Sequence, residues 1–237
     1  MSHNSKNSAI LFHVTTDSAV ARSFNKNNIT YIDCKKPTTD CFISAWTPLL
    51  ESGADILHMS TSSSVSTAYD IASATALYLK SKFPGRKIIV FDTLSVSLGT
   101  AFQSLSAAKL SEEGNTIKDA VKELLSKRDK QVELFSSNPK HIRKPILKVN
   151  YCGEIVVDKT AKGRLNALKA LVDDFVKNHD KNSSAPVGIA YEGSSKDANK
   201  LMALLKKVAP NVEFFTISEA GTFHFGKNTV ALVYTCA

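Results

Sequence analysis

The densest cluster of groups that could do chemistry is Ser60-Thr61-Ser62-Ser63-Ser64-Val65-Ser66, six hydroxyls in seven positions. An apolar run, ADILHM (54–59), precedes it and a helical pattern follows. Three roles suit such a loop: a solvated turn, a nucleophile beside a base, or a cradle for an anion. A nucleophile needs a base and a fixed elbow, yet the chain contains no GxSxG turn and its six histidines are scattered. A cradle needs less. Backbone N–H groups at a helix start are unpaired and partly positive, and neighbouring hydroxyls add donors without formal charge. A single serine is explained by helix capping; six hydroxyls exceed what a cap requires.

Other chemistry finds little support. No GxxxxGK[ST], GxGxxG or HExxH pattern occurs. The four cysteines, Cys34, Cys41, Cys152 and Cys236, lack CxxC or finger spacing, which predicts reduced thiols rather than a disulfide frame or zinc site. No metal or cofactor is expected.

The elements that must position the loop alternate in type. Strands are predicted at 9–16, 29–34, 54–60, 87–93, 145–149, 154–158, 186–192, 212–218 and 229–235, several nearly continuous in hydrophobicity, as strands covered on both faces are. Helices are predicted near 67–82, 95–110, 116–128, 161–178 and 195–207. Leu165, Leu168, Leu171, Val172 and Phe175 form one helical core stripe. Leu201, Leu204, Leu205 and Val208 form another, with Ser194 or Ser195 as its cap. This alternation predicts an α/β fold with mostly parallel sheets. The polar, basic stretch 126–145, holding Pro139 and Pro145, reads as the passage between an N-terminal domain (1–138) and a C-terminal domain (139–237). A ligand crevice is expected between them.

With 237 residues, 43% of them hydrophobic, the chain can bury a sizeable core. It has no run of about eighteen apolar residues, and MSHNSKNS lacks an apolar signal region. A cytoplasmic protein without membrane insertion is expected. Of the net charge of +8, a share of +7 falls between Lys127 and Lys169, where eleven Lys and Arg face four Asp and Glu. Aromatics do not interleave with that segment, so it reads as a solvated basic face or a docking surface for an acidic partner or anionic ligand, not a nucleic-acid interface.

Several short motifs, in order along the chain, resemble those of the DegV family, bacterial fatty-acid-binding proteins. VTTDS (14–18) resembles its strand-TDS start, and KPTTD (36–40) its Pro-Thr-Thr element. STSSSVSTAY (60–69) resembles its hydroxyl loop, and IIVFDTLSVSLGTA (88–101) its strand-Asp-Ser element. KPIL, GEIVVDKTAKGRLNALKALV and HFG (224–226) resemble the opening and close of its second domain. The resemblance implies two α/β domains holding a long-chain fatty acid, with no catalysis by the carrier itself. A separate kinase subunit, the implied partner, phosphorylates the bound carboxylate using ATP. The implied ligand set is Thr39, Ser62 or Ser63, Ser66 and His224, with Arg164 facing the partner or the phosphate.

The chain departs from the family pattern in several places, among them a short region after Thr39 that lacks the family's Ser-Gln-Pro element. Thr67-Ala68 stands for Gly-Thr, Lys227-Asn228 for Pro-Gly, and a glycine- and arginine-containing segment before KPIL is missing. Two alternatives therefore stand beside the carrier: a phosphotransfer or hydrolytic enzyme using His224 and a loop serine, and a degenerate relative acting only by interaction.

Overall fold

Short β-branched and apolar segments build the first half. β1 (His13–Thr16), β2 (Ile29–Tyr31), β3 (Ile56–Ser60) and β4 (Ile88–Asp92) form a parallel sheet in the order β2-β1-β3-β4. The computed structural model describes residues 10–17, 28–33, 36–137, 140, 142–193, 195–218 and 228–237. β3 is buried at every position, as a strand covered on both faces must be. On one face, α1 (Thr39–Glu51) and α2 (Ala68–Lys82) pack Phe42, Trp46, Leu50, Ala72 and Leu79 against Ile56. On the other, α3 (Ser97–Glu112) and α4 (Ile117–Arg128) pack against Val14, Leu57, Met59 and Phe91. Thr38 and Thr116 cap α1 and α4, accepting hydrogen bonds from the Cys41 and Asp119 amides.

The second half is a six-stranded sheet, β7-β6-β5-β10-β8-β9. Its strands are β5 (Gln131–Ser136), β6 (Arg143–Val149), β7 (Ile155–Lys162), β8 (Val187–Tyr191), β9 (Phe214–Ser218) and β10 (Val230–Thr235). It is mixed: β8 and β9 pair in parallel and the other pairs are antiparallel. The mostly parallel pairing expected therefore holds throughout the first sheet and, in the second, for β8 and β9 alone. α5 (Arg164–Asn178) and α6 (Ser195–Val208) cover the outer face. Leu168, Leu171, Val172, Phe175, Leu201 and Leu205 are buried there as their spacing predicts, while Leu165 and Val208 are exposed.

β5 corrects the expected passage at 126–145. α4 runs to Arg128, and Gln131–Ser136 is a buried strand between β6 and β10. The division expected at 138/139 would assign this strand to the first half, although it pairs within the second sheet. Glu133 disguises it by interrupting the apolar run. That carboxylate is 1% exposed, accepting hydrogen bonds from Ser95 Oγ (2.8 Å), the Val96 amide (3.1 Å) and the Gly99 amide (3.3 Å) at the start of α3. Donors at a helix N-terminus make a buried carboxylate tolerable.

α3 belongs to both halves. Its Ala107, Ala108 and Leu110 pack on the first sheet, and its Leu98, Ala101 and Phe102 pack on Phe135, Ala190, Ala231 and Val233 of the second. A helix buried on opposite faces needs small residues rather than one apolar stripe. Gly188 permits the contact, since a Cβ there would lie 2.6 Å from Phe102 Cζ and 2.8 Å from Leu98 Cδ2.

Candidate functional site

All four strands of the first sheet run the same way, so the β2–α1, β3–α2 and β4–α3 connections gather at one edge. Thr39, the exposed first residue of α1, therefore shares that edge with the hydroxyl loop. α2 starts at Ala68, whose amide donates to Ser66 Oγ (3.1 Å). Thr67 is the N-cap residue and makes no side-chain cap bond; Ser66 Oγ instead holds the first helical amide, with its hydroxyl proton left to donate.

The loop's other donors are mostly engaged by the chain's own acceptors. Asp17, just after β1, accepts from the Thr61 amide (2.8 Å), Thr61 Oγ1 (2.9 Å) and Ser60 Oγ (3.4 Å). Burial pushes its carboxyl above the ordinary carboxylate range, and these hydrogen bonds pull it back. Asp92, at the end of β4, accepts from the Ser63 amide (3.2 Å) and the Leu94 amide (3.0 Å). The anion cradle predicted from sequence is therefore occupied largely by internal carboxylates. Asp17 directly follows one strand pattern and Asp92 closes another, the signal that could have identified them.

Ser62 is fully buried. Its Oγ donates to the Gly153 carbonyl (2.8 Å) and accepts from the Ser64 amide (3.2 Å). Ser64 Oγ donates to the Cys152 carbonyl (2.8 Å). These bonds clasp the β6–β7 turn of the second sheet, where Gly153 adopts φ +77° and a Cβ would lie 2.2 Å from Ser62 Oγ. Ser63 differs: it is exposed, and its hydroxyl has no partner among the described residues. Between Ser62 and Ser63, the freer donor is Ser63.

Arg164 stands apart from the loop and turns inward. Nε bonds Asp197 Oδ2 (2.8 Å), Nη1 bonds the Ser136 carbonyl and Oγ (both 2.9 Å), and Nη2 bonds the Asn228 carbonyl (3.0 Å). It sits where β5 ends and β10 begins, at the opposite end of the sheet from the β6–β7 turn. Its fork holds structure rather than facing outward as expected. His224 lies outside the described residues. Of the expected ligand set, the structure gathers Thr39, Ser62, Ser63 and Ser66 at one edge and leaves Arg164 elsewhere.

Cys41, expected as a thiol, is disulfide-bonded, whereas Cys152 and Cys236 are free. No described helix is long and apolar enough to cross a membrane. Among the described residues no cluster of His, Cys, Asp and Glu could hold a metal ion.

The sequence profile of the DegV family matches residues 18–137 and 142–236. The break falls in the β5–β6 connection. A DegV domain-containing protein of Clostridium perfringens is 24% identical over 215 residues, covering 81% of this chain and 74% of that protein. The fold matches a fatty acid binding DegV family protein of Streptococcus agalactiae with a TM-score of 0.80 at 18% identity, over 97% of this chain and 100% of that one. It also matches the Fatty Acid Kinase (Fak) B3 protein of Streptococcus pneumoniae, loaded with linoleic acid, with a TM-score of 0.78 at 14% identity, over 94% and 98% of the two chains.

Proposed function

The chain belongs to the DegV family, and on that premise we propose that it is a non-catalytic carrier of a long-chain fatty acid, presenting the carboxylate to a separate kinase in the cytoplasm. One observation carries this reading above the others: likeness along almost the whole chain to a protein whose structure holds linoleic acid. The two halves supply both environments such a ligand needs. Between α3 and the second sheet lies an apolar layer of Phe102, Phe135, Val149 and Val233, with Ile29, Leu147, Ile155 and Ile217 packed partly buried against it. Each methylene of an acyl chain that the carrier removes from water contributes about 0.8 kcal/mol before ordering costs.

The free hydroxyls of Ser63 and Thr39, with the remaining donor of Ser66, bind the carboxylate, and His224 joins them. Ser62 shapes the loop through Gly153 rather than touching ligand. Neutral donors orient a carboxylate without a buried countercharge, and His224 neutralises it when protonated. The phosphoryl chemistry belongs to the partner.

Delipidated protein is expected to rebind oleate in a fluorescence or calorimetric titration. Ser63→Ala and His224→Ala should each weaken binding about tenfold, the effect of one lost hydrogen bond to a charged group. Protein purified under mild conditions should release a fatty acid on mass spectrometry. Absence of any acyl ligand together with no oleate binding would sink the reading.

A further inference from the structure

The β6–β7 hairpin forms one edge of the second sheet, and its two ends are fastened differently. At one end the chain runs directly into α5, and the Gly163 amide donates to the Ile142 carbonyl (2.9 Å). In the middle, residues 146–148 pair with residues 134–136 of β5. That ladder stops at Lys148. Val149 pairs onward with Ile155 of β7, and a cleft of about 400 Å³ opens between residues 149–151 and residues 131–133 of β5. β7 carries a bulge at the same level. Its pairing steps from Lys159 with Ile146 to Val157 with Leu147, leaving Asp158 extra, and a bulge bends its strand.

The tip beyond this point is rigid in itself but lightly held. Asn150 Oδ1 accepts from the Cys152 amide (2.9 Å) and the Glu154 amide (3.0 Å), and the Asn150 carbonyl accepts from the Gly153 amide (2.9 Å). Among the described residues, the tip's hydrogen bonds to the first half are those from Ser62 Oγ to Gly153 and from Ser64 Oγ to Cys152. Both are neutral, the weaker class of hydrogen bond. Gly153 lets the tip close fully. A Cβ there would lie 3.0 Å from Leu94 Cα, and Leu94 is itself held at φ +47°, a conformation costly for a residue with a side chain.

Behind the tip lies the apolar layer. Leu147, Val149 and Ile155 join Val96, Leu98 and Phe102 of the α3 start in one cluster. Val157, directly opposite Leu147 and so on the same face, is 62% exposed, which carries that layer to solvent at the sheet edge. Lifting the tip breaks two neutral hydrogen bonds and uncovers Val149 and Ile155. Parting α3 from the second sheet would instead strip Leu98, Ala101 and Phe102 from Phe135, Ala190, Ala231 and Val233, a larger apolar contact.

We propose that the tip of the β6–β7 hairpin is the gate through which an acyl chain enters and leaves the apolar layer, hinged at Lys148 and the Asp158 bulge and latched by Ser62 and Ser64. A gate matters only to a carrier, so it rests on the function proposed above and adds the route of exchange. The latch closes on the empty and the filled protein alike, so weakening it speeds entry and exit together and leaves affinity nearly unchanged.

Stopped-flow exchange of cis-parinarate, a fluorescent long-chain fatty acid, on the full-length protein tests the gate. Ser64 is exposed and lies outside the carboxylate-binding set. Ser64→Ala should raise the association and dissociation rates each about fivefold, the effect of one neutral hydrogen bond, with Kd within about twofold of wild type. Ser64→Cys places a thiol beside the exposed, free Cys152, and oxidation of the pair with diamide should lock the tip shut. The locked protein should exchange ligand at least tenfold more slowly, and dithiothreitol should restore the rate. Wild type carried through the same reduction controls for the Cys41 disulfide. Should the two thiols fail to join, Ser64→Ala still decides. Saturable binding with both rates unchanged in Ser64→Ala would overturn the gate alone, as would a change in dissociation rate only or a locked protein that exchanges as fast as the reduced one. No binding by wild type would sink the carrier reading, and the gate with it.

Discussion

At the residue scale, two groups are decided by their hydrogen-bond partners. Thr15 Oγ1 accepts from Trp46 Nε1 (3.1 Å) and shares a hydrogen bond with His58 Nδ1 (3.0 Å). His58 Nε2 is buried without a partner among the described residues, its ring edge-on to Phe42 and Trp46, and burial pushes the imidazole down to about 3. Between pH 6.5 and 3 the unfolded chain binds a proton that the folded chain excludes, so stability must fall as pH drops through that window. Urea melts should show up to about 1.4 kcal/mol lost per pH unit from this group. His58→Gln should remove that increment from the slope; an unchanged slope would show the histidine is not held neutral. Ser62 makes the second case. Ser62→Ala frees the Gly153 carbonyl and should cost about 1–2 kcal/mol, whereas exposed Ser63→Ala should stay within about 0.5 kcal/mol of wild type. Equal costs for the two would contradict the division of labour between them.

At the element scale, Arg164 links α5, α6 and the ends of β5 and β10 through one guanidinium. Removing it leaves Asp197 unpaired, so Arg164→Ala should cost about 3 kcal/mol in a denaturant melt. Arg164→Lys should recover little, because an ammonium cannot span three acceptors in a plane. Restoration of full stability by lysine would argue against this tether. The elements themselves were unequally legible. α5 and α6 each show a stripe on one face and were readable at once, because each buries one side. β5 was not, because a glutamate buried by the N-terminus of a helix 34 residues away in sequence looks like a surface residue.

At the scale of the whole molecule, α3 makes one structure of two sheets. Its two faces contribute to separate cores, so neither half keeps its apolar cover if the other unfolds. Unfolding should therefore be a single transition. Trp46, the sole tryptophan, is buried in the first half, so its fluorescence reports that half while far-UV circular dichroism reports both. The two midpoints should coincide. Separated midpoints would mean that the halves unfold independently.

The sequence by itself determined the α/β alternation, the hydroxyl loop between β3 and α2, and the ordered motifs of the DegV family. Those signals are local: strand and helix periodicity, and the run of hydroxyls, are properties of neighbours in the chain. Only the tertiary structure decided which donors remain free. Thr61 and Ser63 give their amides to Asp17 and Asp92, 44 and 29 residues away, and Ser62 gives its hydroxyl to a carbonyl 91 residues away. A hydrogen-bond donor can be counted from composition, but whether it is available depends on what folding brings to it.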